Sequence, residues 1–313
     1  MKRTSYFYLA ILVSTGASAQ SKLCIQDPIW QDEFSDETLD PEKWNIEQNC
    51  WGGGNHELQC YVNDKRTISV ANGVLSLTAL KEQGTGPTFP KSHPNYDPAQ
   101  TSTKSFISGR INSKSKAAFT YGRFEIRAKL PQGQGSWPAI WMLPEENRYG
   151  PWPESGEIDI MEAVNLGARS DDNDASYEGK PETRVHGTLH YGTRPPKNVY
   201  TGKPYRLDEE RSPSSGFHVY RLDWKKDEIS WYVDGVLYST QYPQTTGKDG
   251  WFSQPEGNKR RPDNAPFNHP FHLLLNVAVG GDWAGKVNEK GVDESKLPFT
   301  MQIDWVRVYE LCD

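Results

Sequence analysis

Along most of its length the chain alternates apolar and polar residues in short runs, each closed by glycine, proline, asparagine or aspartate. Such runs occupy 73–79, 121–128, 157–163, 186–191, 218–224, 228–238, 272–279 and 302–309. A period of two sends successive side chains to opposite faces, so each run predicts a strand with one buried face. Within 228–238, Asp234-Gly235 separates Trp231-Tyr-Val from Val236-Leu-Tyr, the pattern of a two-residue hairpin turn. Helical periodicity is nearly absent, and the expected fold class is all-β, a sandwich. Four longer stretches, 82–104, 167–183, 193–216 and 244–267, are rich in proline, glycine or charge and read as loops decorating one domain.

One run breaks the alternation in an informative way. Gly156-Glu157-Ile158-Asp159-Ile160-Met161-Glu162-Ala163 carries three acids among apolar residues. Strict alternation puts Glu157 and Asp159 on one face and sends Glu162 to the other, into the core with Ile158 and Ile160. A β-bulge around Ile160-Met161 inserts one extra residue and returns Glu162 to the face of the other two acids. Three carboxylates on one surface suit glycosidic cleavage, in which one ionised carboxylate attacks and one protonated carboxyl donates to the leaving oxygen. Close acids push each other's pKa values apart, which assigns Glu157 as nucleophile, Glu162 as acid and then base, and Asp159 as the group that holds and biases both.

Composition narrows the class further. Eleven tryptophans and 15 tyrosines against 4 methionines, with 27 glycines and 22 prolines, fit an all-β protein that handles sugars. The 313 residues fit one large domain, with no length left for a separate carbohydrate-binding module. Lys2, Arg3, an apolar stretch from Tyr6 to Val13 and Ala17-Ser-Ala19 form the three parts of a signal peptide, so 1–19 is expected to be removed and the protein secreted. Losing Lys2 and Arg3 takes the net charge from −6 to −8, which argues against a nucleic-acid partner. No later segment approaches the roughly 18 apolar residues of a membrane span, and Ser-Lys-Leu before Cys24 is not a lipoprotein signal. Four cysteines in an exported chain allow three pairings. Cys50–Cys60 would stiffen the loop Trp51-Gly-Gly-Gly-Asn55, and Cys24–Cys312 would tie the ends of the mature chain. None has the spacing of a metal-binding CxxC pair.

Several motifs in order carry a resemblance. Gly156–Ala163, preceded by Trp137-Pro-Ala-Ile-Trp141-Met and followed by His186-Gly-Thr-Leu-His190-Tyr, resembles glycoside hydrolase family 16, the laminarinase type above all. The resemblance runs from Trp30-Gln-Asp-Glu-Phe34 through Asn55-His-Glu-Leu-Gln59 and Val277-Ala-Val-Gly-Gly-Asp-Trp283 to Asp304-Trp-Val-Arg-Val-Tyr309. It implies a β-jelly-roll sandwich of two antiparallel sheets with a concave substrate cleft, and retaining endo-cleavage of a β-glucan; no catalytic cofactor is expected, and with no interface suggested by the chain a monomer is expected. The family's nucleophile, helper acid and acid/base fall on Glu157, Asp159 and Glu162.

Around the acids, Trp137 and Trp141 offer faces for sugar rings, and alternation puts His186 and His190 on one face beside them. The resemblance places Asn55, Glu57 and Arg110 on the non-reducing side of the cleft and Trp283 at its rim. Here the chain departs from the family, with Asp282-Trp283-Ala284 where Asn-Trp-Pro is usual. The resemblance also implies a structural calcium held by the Asp304 carboxylate and by backbone carbonyls at Glu33 and Gly73. Mixed-linkage β-1,3-1,4-glucanase, agarase, carrageenase and transglycosylase activities remain open, as does a glucan-recognition protein that does not cut. Recognition proteins of this type usually lack one or more of the acids, and all three are present here.

Overall fold

Two eight-stranded antiparallel sheets enclose the core in the computed structural model, which describes residues 23–312 apart from 25, 175, 245–249, 255–259 and 262–263. The expected signal peptide, 1–19, lies outside the described residues, as does part of the 244–267 stretch. One sheet carries the three acids. It runs in the order Asn198–Arg206, Arg184–Gly192, Glu157–Glu162, Ser136–Pro144, Phe271–Val279, Arg110–Asn112 and Asn45–Ile46, with Ala118–Phe119 also on Phe271–Val279. The outer sheet runs Val236–Gln241, Glu228–Val233, His218–Lys225, Gly122–Lys129, Phe299–Tyr309, Val74–Ala79 and Ile68–Ala71, with Trp30–Asp32 also on Phe299–Tyr309. Every predicted run is a strand, and Asp234-Gly235 forms its turn with φ of 49° and 79°.

Two segments differ from the sequence reading. The expected loop 193–216 contains a nine-residue strand, Asn198–Arg206, paired from Gly192↔Asn198 to Arg184↔Arg206. Lys203 and Pro204 disguise it, but both are residues that blunt an exposed sheet edge, and this strand is an edge. Ser136–Pro144 shows almost no alternation because it is buried on both faces over its first five residues. The stretch 82–104 contains a short hairpin, Gly84–Pro87 with Thr101–Lys104.

Between the sheets, Ile140, Met142, Ile158, Ile160, Met161 and Leu189 pack in one core with Phe124, Ile126, Leu222, Trp224 and Trp231 of the outer sheet. Trp231 is the main link between that core and the acids. Its indole is fully buried, and its Nε1 donates to the Asp159 carbonyl at 2.8 Å. The ring lies so close beneath the neighbouring strand that a Cβ at Gly187 would stand 2.3 Å from Trp231 Cδ1 and 2.6 Å from the Tyr238 hydroxyl. Only glycine permits that approach.

Cys24–Cys312 and Cys50–Cys60 form the pairs expected from sequence, closing 288 and 10 residues respectively. Among the described residues no helix is long and apolar enough to cross a membrane.

Trp231→Phe keeps most of the buried area but leaves the Asp159 carbonyl without its donor. The expected cost is about 1–3 kcal/mol of stability, measured by urea unfolding, together with a lower kcat. An unchanged urea midpoint would show that the indole acts only as filler.

Candidate active site

The open face of the acid-bearing sheet is built by pairing register. On the Ser136–Pro144 side Trp141 pairs with Asp159 and Ala139 with Glu162, and on the Arg184–Gly192 side Thr188 pairs with Asp159 and His186 with Glu162. Three steps along the acid strand therefore match two steps along each neighbour, which is the predicted bulge at Ile160-Met161. Ile160 and Met161 are both buried, at 2% and 1% exposure. Glu157, Asp159 and Glu162 consequently share the open face.

Each acid has its own surroundings. Glu157 Oε2 accepts from Trp152 Nε1 at 2.8 Å, and Glu162 Oε1 accepts from Trp137 Nε1 at 3.0 Å. His190 Nε2 lies 3.2 Å from Asp159 Oδ2 and 3.7 Å from Glu157 Oε1. Burial lowers the pKa of His190, but Glu157, Asp159 and Glu162 outweigh it and raise the imidazole to about 10, so it is cationic at neutral pH. His186, across from Glu162, goes the other way. Burial and then the Arg184 charge lower it to about 4, and it stays neutral. Burial and Asp159 raise Glu157 to about 7, against the pull of His190, and the same two causes raise Glu162 well above the ordinary carboxylate range. The cluster thus has a cation in contact with Glu157 and Asp159 and a neutral ring across from Glu162. Charge on Glu157 and a proton on Glu162 is the distribution this asymmetry favours.

The rest of the predicted set divides by location. Trp137, His186 and Trp283 form one aromatic group beside Glu162, with Trp283 edge-on to Trp137 at 5.3 Å and to His186 at 5.1 Å. Further along the same strand as Trp137, Trp141 Nε1 donates to Asn276 Oδ1 at 2.8 Å, and the Arg110 guanidinium lies 4.9 Å from the Trp141 ring. Arg110 Nε is 3.1 Å from Glu47 Oε2, and only 7% of the arginine is exposed. Asn55 is exposed and its carbonyl accepts from Asp282 N at 2.7 Å, which joins its loop to the one carrying Trp283. Glu57 is bonded within its own loop. It is 5% exposed, and its carboxylate accepts from Gln59 Nε2 at 2.7 Å and Asn55 Nδ2 at 3.4 Å, so it shapes the loop from within.

Sequence reasoning missed Trp152, Tyr200, Glu47 and Asn276. Trp152 sits in Pro151-Trp-Pro153, five residues before Glu157 and outside any strand, so no periodicity marks it. Tyr200 was hidden by the misread edge strand. It stands opposite His190, 5.8 Å between rings, and is 70% exposed.

The three residues expected to hold calcium lie in or beside strands of the outer sheet. Along one side of Phe299–Tyr309, the strand Val74–Ala79 pairs as far as Leu75↔Ile303 and Trp30–Asp32 as far as Asp32↔Val306. Gly73 directly precedes the first of those strands and Glu33 directly follows the second, so both lie beside the stretch 303–306 that carries Asp304. On the opposite side Arg127 pairs with Trp305 and Ala128 with Ile303, so Asp304 is itself a bulge residue. Its carboxylate lies on Arg127, and the Glu33 carboxylate is bidentate on Arg307 at 2.7 and 2.8 Å. A carboxylate with two backbone carbonyls would be an all-oxygen donor set of the kind calcium takes, and here the Asp304 carboxylate is paired with Arg127.

A two-sheet sandwich with paired carboxyl groups on its open face has the architecture of a β-jelly-roll glycoside hydrolase. The comparisons agree: a family model described as "Beta-porphyranase A-D, GH16 domain" matches residues 27–311, and the chain belongs to glycoside hydrolase family 16. It is 38% identical to the "Glucan endo-1,3-beta-glucosidase A1" of Niallia circulans, over 95% of this chain and 40% of that protein, so it spans less than half of that relative. It is 37% identical to the "Beta-glucanase" of Rhodothermus marinus, over 99% of this chain and 95% of the relative. Among solved structures, the laminarinase from Rhodothermus marinus superposes with a TM-score of 0.71 at 35% identity, covering 92% of this chain and 98% of that one.

Replacing His190 with glutamine removes the cation facing Glu157 and Asp159. Without it the protonated carboxyl is favoured, so ionising the cluster needs a higher pH. The acidic limb of kcat/KM against pH is expected to move up by about one to two units; a limb that stays in place would show that His190 does not set the charge of the cluster.

Proposed function

We propose that the protein is a secreted, retaining endo-β-glucanase that hydrolyses internal β-1,3 linkages of laminarin-like glucans. The observation that carries this reading is the bulged strand that puts Glu157, Asp159 and Glu162 on one open face, with His190 against Glu157 and Asp159 and the Trp137 indole on Glu162. In the first step Glu157 bonds to the anomeric carbon as the C1–O bond breaks, and Glu162 gives its proton to the departing oxygen. In the second, water transfers a proton to Glu162 while its oxygen takes C1 and frees Glu157. Asp159, between them and held by His190, keeps the cluster's charge on the nucleophile side. Trp137, Trp141, His186, Trp283, Arg110 and Asn55 line the path of the sugar chain, with Glu57 supporting the Asn55 loop.

The β-1,3-glucan substrate is argued from the named activities of the relatives matched over nearly the whole chain. Because the matching family model is named for a porphyranase, galactan breakdown is the second reading. An anionic galactan calls for free cations along the cleft, whereas Arg110 and His190 are each paired with carboxylates. A neutral glucan suits that floor better. Two disulfides and the 1–19 leader support export, with 20–313 as a single catalytic domain acting as a monomer, without membrane or nucleic-acid partners.

Reducing-end release from laminarin, mixed-linkage glucan and agarose, by the mature protein and by Glu157→Gln and Glu162→Gln, tests the reading. Laminarin is expected to be cleaved fastest, with the β-anomer formed first by NMR. Glu157→Gln should abolish release, and Glu162→Gln should lower kcat roughly 10²–10⁴-fold. Faster cleavage of agarose would replace the glucanase reading with the galactanase one. No release from any of the three by folded protein would remove the catalytic reading in favour of glucan recognition.

Calcium held by Asp304 and the carbonyls of Glu33 and Gly73 would stabilise the fold without entering the chemistry. Saturating calcium against EDTA is expected to raise the melting temperature by about 5 °C in the wild type and by nothing in Asp304→Asn. The same melting temperature with and without EDTA in the wild type would refute the site.

A further inference from the structure

The floor of the cleft ends at Asn45–Ile46, the last strand of the acid-bearing sheet on the Arg110 side. Polar contacts carry on past it. Glu47, which holds Arg110, accepts from Asn49 Nδ2 at 2.8 Å, and Asn49 Oδ1 accepts from the backbone N–H of Trp51 at 3.1 Å. Trp51 therefore stands where the floor runs out, joined to the arginine through two side chains. Its ring is 36% exposed although it belongs to an aromatic group. Its centroid lies 5.2 Å from His93 and 6.4 Å from Phe89, and those two rings stack at 4.3 Å with 10° between planes.

The group is braced on both sides. Trp51 follows Cys50, which is bonded to Cys60, and Cys50 N donates to the Pro87 carbonyl at 2.8 Å. Phe89 and His93 stand at the tip of the hairpin Gly84–Pro87/Thr101–Lys104, and Lys104 Nζ at its foot donates to the Glu57 carbonyl at 2.7 Å. A rigid, half-open aromatic surface next to a polar floor matches a pyranose ring, which has an apolar C–H face and a hydroxyl rim.

We propose that Trp51, with Phe89 and His93 behind it, forms a distal carbohydrate subsite that takes a glucosyl unit on the non-reducing side of the bond being cut. The proposal rests on the glucanase reading above and deepens it. Four strand spacings separate the acid strand from Asn45–Ile46, roughly 19 Å or about four pyranose units, so short oligosaccharides do not reach the platform and polymer does. The segment 82–104 thereby sets chain-length preference without touching the reacting atoms.

The test uses Glu157→Gln protein to prevent turnover, with Trp51 intact, as Trp51→Phe or as Trp51→Ala. Binding of laminaritriose and laminariheptaose is measured by calorimetry, and laminarin cleavage by the unmodified protein is assayed beside it. Trp51→Ala is expected to weaken heptaose binding about tenfold and leave triose binding unchanged, with Trp51→Phe restoring most of the loss and the melting temperature unaltered. Equal loss for both oligosaccharides, or none for either, while laminarin is still cleaved, would overturn the subsite and leave the glucanase reading standing. No cleavage of laminarin by the unmodified protein would overturn that reading and this subsite with it.

Discussion

The whole site depends on one extra residue in one strand. Without the bulge at Ile160-Met161 the pleat would turn Glu162 into the core and leave an apolar side chain facing the cleft. With it, three apolar residues go inward and three carboxylates outward over six positions. The local geometry is held on both sides: Ser136–Pro144 and Arg184–Gly192 both shift register at the same place, and from below Trp231 grips the Asp159 carbonyl. The outer sheet, which carries none of the acids, thus fixes the height of the residue between them.

The second constraint is electrostatic. Three acids that crowd one another cannot all be ionised, and the fold decides which one keeps a proton by what faces it from the next strand. His190 and His186 have the same chemistry and lie four residues apart on one face. One is surrounded by carboxylates that outweigh its burial, while burial and then Arg184 act on the other, so their pKa values shift in opposite directions.

These features were unequally legible in the sequence. The alternating runs gave the strands, because one buried face against one open face leaves a period of two. The bulge could be read because three acids on a half-buried strand make sense on one face only. Ser136–Pro144 has no such period, being buried on both sides, and was visible only as a motif. Asn198–Arg206 looked like a loop because residues that protect an exposed edge are also loop residues. Trp152 and Glu47 reach the site from irregular backbone, where no repeat predicts direction. Glu57 lies in the expected loop, and its hydrogen bonds to Gln59 and Asn55 could not be read from alternation because it belongs to no strand.

The Cys24–Cys312 bond brings the two ends of the described residues together beside the outer sheet, where Leu23 also bridges Leu311. A neighbouring module joined at either end would leave from the same spot, one sheet away from the cleft. Order of attachment would then matter little to substrate access, and a pull on both ends would pass through the sulfur bridge, sparing the strands that carry the acids.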